Sequence, residues 1–167
     1  TFDETPRPRG VLPEGLETMA PGPELGSVLA QIDRSQLNGY EVSVVLEADF
    51  RQVSHYQARM YADMAELGNC PMGFIDSPPV RDVADMEFWS DEVALTLTMT
   101  RRAAVLACEL ALGLDRHPQV WRALAEGRID LARARVMCRA VEELETEAAD
   151  AIIDAVLEEA EELTTGQ

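Results

Sequence analysis

Apolar residues along this chain return at helical rather than strand spacing. From Val42 onward they fall at 42, 45, 46, 53, 56, 60, 64 and 67, close to the 3.6-residue period that gathers side chains on one face of an α-helix. Asn38 followed by Glu41 has the form of a capping box, so the pattern predicts a helix from 39 to 68 with Gly68 as its stop. At ~1.5 Å per residue it makes a rod of roughly 45 Å. Glu47–Arg51 and Arg59–Asp63 lie one turn apart on the face taken to be exposed. A shorter helix is expected over 24–32, followed by a turn through Asp33–Leu37.

Val93–Leu114 is apolar around most of its circumference. That predicts a helix over about 91–113, surrounded by others, capped by Ser90, aided by Asp91 and Glu92 at its positive end, and ended by Gly113. Pro118 suits the first position of a helix over 118–126 that stops at Gly127. Asp130 caps a helix over 131–144, and Thr146 starts one over 147–163. No alternating pattern competes. The expected fold is all-α, a helical bundle with two long helices (about 39–68 and 91–113). Three shorter C-terminal helices join them and include a helix-turn-helix-like hairpin at 118–144. Residues 1–23 hold five of the nine prolines and three of the ten glycines and read as a leader, with 24–167 as one all-helical domain. Residues 69–89 form a long connection containing Pro71, Gly73, Pro78 and Pro79. The sequence opens without Met and closes on a capping signal with no helix behind it, so it is expected to be the N-terminal part of a longer protein.

Composition agrees with helices. Of the 167 residues 47 % are hydrophobic and 5 % aromatic, so Ala, Leu, Val and Met supply the core. Charge changes the picture more. The net charge is -17, and all 14 basic residues are Arg. Ten carboxylates and no base lie between Glu142 and Glu162, whereas Arg101–Arg139 holds eight Arg against four acids. The local field near residue 130 therefore differs from the average. Cys70, Cys108 and Cys138 form neither a metal-binding pair nor a disulfide framework, and Cys108 and Cys138 are expected to be buried. No signal peptide or uncharged apolar run near 20 residues is present, so no membrane partner and a cytoplasmic location are expected.

Catalytic chemistry finds little support. The two histidines, His55 and His117, lack helical metal-ligand spacing, although Asp115 is within reach of His117. The acidic cluster lacks the glycine-bearing loop of a calcium site, and no glycine-rich phosphate loop occurs. Catalytic residues and metal ligands are expected to be absent.

The stretch 121–137, "WRALAEGRIDLARARVM", is the informative one. Helix, glycine turn and helix match the outline of a helix-turn-helix. Leu131, Ala134, Cys138 and Val141 would face inward, Arg135 and Arg139 outward, with Arg128 and Arg133 flanking. Guanidinium groups suit phosphate and guanine. The second helix, however, runs into Glu142, Glu143, Glu145 and Glu147, which repel a phosphate backbone. Two readings stay open: DNA contact through Arg128, Arg133, Arg135 and Arg139, or a packed corner with surface ion pairs.

Five blocks in order, "IDRSQLNGYEV" (32–42), "RQVSHYQARMYADMAEL" (51–67), "DEVALTLTMTRRAA" (91–104), "ALAEGRIDLARARVM" (123–137) and "AEELTTGQ" (160–167), resemble actinobacterial domain of unknown function family 222. This is also called the thirteen-E-twelve repeat family, and the likeness spans about residues 24–167. His55 departs from the Trp expected at its position. "AEGRIDLARAR" is in addition similar to a helical segment near the DNA-reading motif of plasmid-partition proteins. The family resemblance implies the N-terminal region of an HNH endonuclease-like protein. Its clustered His and Asn residues and its divalent metal belong to a nuclease domain outside this sequence, so no cofactor is expected in this chain. The implied role is a non-catalytic module that assists DNA engagement or regulates the nuclease, with duplex DNA, the C-terminal nuclease domain of the same protein, or a second copy as partners. The alternative is a protein-interaction or oligomerisation module whose acidic helix docks a basic partner without DNA contact.

Overall fold

The computed structural model describes residues 12–69 and 86–163. Among them are seven α-helices and no strand: α1 (Pro23–Gln31), α2 (Gly39–Asn69), α3 (Met86–Leu97), α4 (Arg101–Arg116), α5 (Pro118–Ala125), α6 (Leu131–Ala140) and α7 (Thr146–Glu162). The fold is all-α, a helical bundle. Most of the connection 69–89, including its prolines and Cys70, lies outside the described residues.

Local signals set several boundaries as expected. Asn38 Oδ1 accepts from the Glu41 N–H at 3.0 Å, and Glu41 Oε2 accepts from the Asn38 N–H at 2.8 Å. This reciprocal box starts α2. Asp130 Oδ1 accepts from the Arg133 N–H at 2.7 Å and starts α6, and Pro118 occupies the first turn of α5.

The second long helix expected over 91–113 is instead two, α3 and α4. The chain reverses at Thr98, whose φ is 53°, and restarts where Thr100 Oγ1 accepts from the Ala103 N–H at 3.3 Å. Three threonines in "TLTMT" weaken the helix, because β-branched side chains crowd the preceding turn and hydroxyls compete for the backbone. Ser90 is therefore not a cap. It is buried inside α3, and its hydroxyl donates to the Glu87 carbonyl at 3.0 Å. Nor is the apolar stretch surrounded by neighbours, since Leu95 is 82 % exposed. α7, with 17 residues, is no shorter than α4 with 16, and α6 ends at Ala140 rather than 144.

Of the two glycines read as stops, Gly68 is the penultimate residue of α2 and Gly113 is interior to α4, and both are also contact points. Gly68 lies within α2, where a Cβ would stand 2.9–3.2 Å from the Trp89 ring. The indole N–H donates to the Met64 carbonyl at 2.9 Å, which fixes α3 against the end of α2. Gly113 lies within α4, where a Cβ would stand 3.0 Å from Cys138 Cβ on α6.

α4 packs against α2, α3, α5 and α6, while α5 runs along α2. The Trp121 indole donates to the Ala58 carbonyl at 2.9 Å. The main core draws on α2 through α7. Within it Leu114, Val120, Leu124, Ile129 and Ile153 are essentially sealed from solvent, each contributing roughly 1.5–3 kcal/mol of apolar burial. A second, smaller core joins Leu16, Leu25 and Leu29 to Val44, Val45 and Ala48 near the start of α2. Arg51 does not pair with Glu47 along the helix. Its guanidinium donates to the Leu16 carbonyl at 2.8 Å, and Gln52 Oε1 accepts from the Gly22 N–H at 2.8 Å.

Candidate functional site

The α5–α6 corner is built as its sequence suggests. α5 ends at Ala125 with Glu126 as its cap, and Gly127 turns the chain with φ 71°, a left-handed conformation that a side chain rarely adopts. Ile129 is then buried, and α6 leaves from its Asp130 cap. Ala134, Met137, Cys138 and Val141 face the core, with Leu131 half-buried; Arg135, Val136 and Arg139 face out.

The four candidate arginines divide into two pairs. Arg128 Nε donates to Glu126 Oε2 at 2.8 Å, and its Nη1 pairs with Glu161 near the end of α7. Burial works against the Arg128 charge, yet the two carboxylates outweigh it and hold the guanidinium above its ordinary pKa. Arg133 Nε donates to the Leu163 carbonyl at 2.8 Å, and its Nη1 pairs with Asp130 at 3.1 Å. These two residues fasten the end of α7 onto the corner. The side chains of Arg135 and Arg139 are exposed and make no hydrogen bond or ion pair among the described residues.

α7 carries seven carboxylates and no base. Between it and α6 lies an apolar groove of about 330 Å³, floored by Val136, Met137, Ala140, Ile152 and Val156 and edged by Glu159 on α7 and Arg133 on α6. Val136, Ile152 and Val156 remain half-exposed along it.

Two clusters are not visible in local sequence. His117 meets Asp150 of α7 rather than Asp115: Nδ1 stands 2.9 Å from Asp150 Oδ1, which also accepts from Gln119 Nε2 at 2.7 Å. An ionised carboxylate can only accept, so the His117 proton lies on Nδ1. The hydrogen bond from His117 and then that from Gln119 lower the Asp150 pKa below its ordinary 3.8. At 2 % exposure the imidazole is closed to substrate and acts as a clamp. His55, in turn, lies with Nδ1 2.8 Å from the Ala125 carbonyl and joins α2 to α5. Glu92 is buried on α3, and neither of its oxygens has a hydrogen-bond partner among the described residues. Burial pushes the Cys108 and Cys138 thiols up to about 11, so both stay protonated. No group of three or more potential metal ligands converges among the described residues, and no helix there is long and apolar enough to cross a membrane.

No protein-family model, curated protein or solved structure matches the chain.

Proposed function

We propose that this chain is a non-catalytic protein-interaction module of an HNH endonuclease-like protein, and that it holds a basic amphipathic helix in the α6–α7 groove. On this reading the helix would belong to the nuclease domain, which needs positive charge to meet DNA. The observation carrying this reading is the groove: an apolar floor beside a helix of seven carboxylates without a base. An amphipathic partner would bury its apolar face there while its basic flank meets Glu159 and its neighbours.

A direct test uses two synthetic helical peptides, one of Leu and Lys and one of Leu and Glu, titrated by calorimetry. The Leu/Lys peptide is expected to bind, to weaken with added salt, and to lose roughly tenfold or more in affinity to Val156→Asp. Equal binding of both peptides, or indifference to Val156→Asp, would refute the proposal.

A second reading keeps duplex DNA as partner, favoured by the free and exposed Arg135 and Arg139 one turn apart. Fluorescence anisotropy with labelled duplex at low salt separates the two. Binding that falls in Arg135→Ala/Arg139→Ala supports DNA contact, whereas binding to the peptide alone leaves docking as the role.

A further inference from the structure

Helix α2 is apolar on two sides. One side faces the cores through Val44, Ala48, Ala58 and Tyr61. The other carries Val42, Leu46, Phe50, Val53, Tyr56 and Met60, each between 40 and 66 % exposed. Scattered exposed apolar residues are ordinary, but six on one helix face over five turns form a contiguous patch of the kind that marks an interaction site. Among the described residues α3 covers this side at its far end, where Trp89 sits on Gly68 and Met64 is buried, and the Tyr56 hydroxyl stands beside Gly26 of α1. α1 and α5 otherwise occupy other sides of α2.

We infer that this face of α2 is an isologous interface with a second copy of the same chain, the two α2 helices lying antiparallel across a two-fold axis at Val53. Leu46, Val53 and Met60 are spaced by seven residues and are symmetric about the middle one. An antiparallel copy therefore sets Leu46 against Met60 of the second copy and Val53 against itself, as a self-complementary contact requires. Leu46, Glu47, Phe50 and Arg51 border a shallow hollow at one flank of the patch.

Area and charge both point to a second copy. With full-exposure areas of roughly 160–250 Å² per residue, the six fractions sum to about 600 Å². Two copies then bury about 1,200 Å², the lower bound for a stable protein interface, before rim residues such as Gln57 are added. Although the whole chain bears -17, residues 42–60 contain Glu47 and Asp49 against Arg51 and Arg59 and are formally neutral. Two copies meeting here add no like-charge contact, which two copies meeting along α7 would.

Sedimentation equilibrium of the full chain tests this. The expected result is a reversible dimer of the 18.4 kDa chain at tens of micromolar, with Leu46→Glu and Val53→Glu each raising the dissociation constant roughly 100-fold. Both positions are exposed and mid-helix, so circular dichroism of the dissociated variants should match that of the parent. Val156→Asp, in the α6–α7 groove, should leave the dimer intact. A chain that stays monomeric at several hundred micromolar overturns the inference, and so does a dimer that survives both α2 variants.

Discussion

Gly127 meets two separate demands. Its φ of 71° ends α5 and aims the chain into α6, while a Cβ there would stand 2.7 Å from Arg51 Cβ and 2.8 Å from Arg51 Cα on α2. The second neighbour is backbone and cannot step aside. Gly127→Ala should therefore cost about 2–4 kcal/mol, combining left-handed strain with overpacking. A urea denaturation series checks it, and a loss under 1 kcal/mol would mean that the two helices do not approach so closely. The turn itself could be read from "EGRID". The contact with Arg51 could not, because 76 residues separate the partners and nothing local announces a close approach. Gly68 and Gly113 show the same limit. Gly68 does stand at the end of its helix, but Gly113 lies three residues inside α4, and the Trp89 and Cys138 side chains that the two glycines admit come from other helices. The arginines repeat the lesson. Arg128 finds Glu161 across 33 residues, so its charge, plain in the sequence, is partly spent within the fold.

Helices whose caps are side chains a few residues away were legible; helices whose limits depend on distant packing were not. The box at Asn38 and Glu41 and the cap at Asp130 are local and held. The break at Thr98 was hidden because hydrophobicity runs through it unbroken, and only the three threonines mark where the backbone turns. The attachment of α7 was equally hidden, since His117 and Asp150 are far apart in the chain. That clamp makes α7 pH-sensitive. Asp150 has a folded pKa below its ordinary 3.8, so its contribution to stability is complete above that value and is lost as pH falls through the lowered one. The stability difference between the parent chain and Asp150→Asn should thus shrink as pH falls below about 4. Urea midpoints on either side of that pH measure it. A difference that grows in acid would show that the carboxylate is not held ionised by His117 and Gln119.

The molecule as a whole has two apolar cores strung on one long helix. The larger spans α2 to α7, and the smaller is confined to residues 12–48. Between them α2 buries polar side chains, Gln52 and Ser54, instead of large apolar ones. The all-helical class was evident from periodicity alone, but this division was not, because most apolar positions read along α2, Val42, Leu46, Val53, Tyr56 and Met60, stay exposed and belong to neither core. Its consequence is a hierarchy of opening. The segment carrying Leu16, Leu25 and Leu29 can detach from α2 at the loss of the smaller core and of the hydrogen bonds of Arg51 and Gln52, while the larger core stays folded. Native-state hydrogen exchange should find α1 amides exposed through a subglobal event at least ~2 kcal/mol cheaper than the global unfolding that frees α4 and α6. Uniform protection across both would mean a single cooperative unit. If the hierarchy is real, the first turns of α2 lose their cover before the helix itself melts, and proteases will find the chain's weak point there.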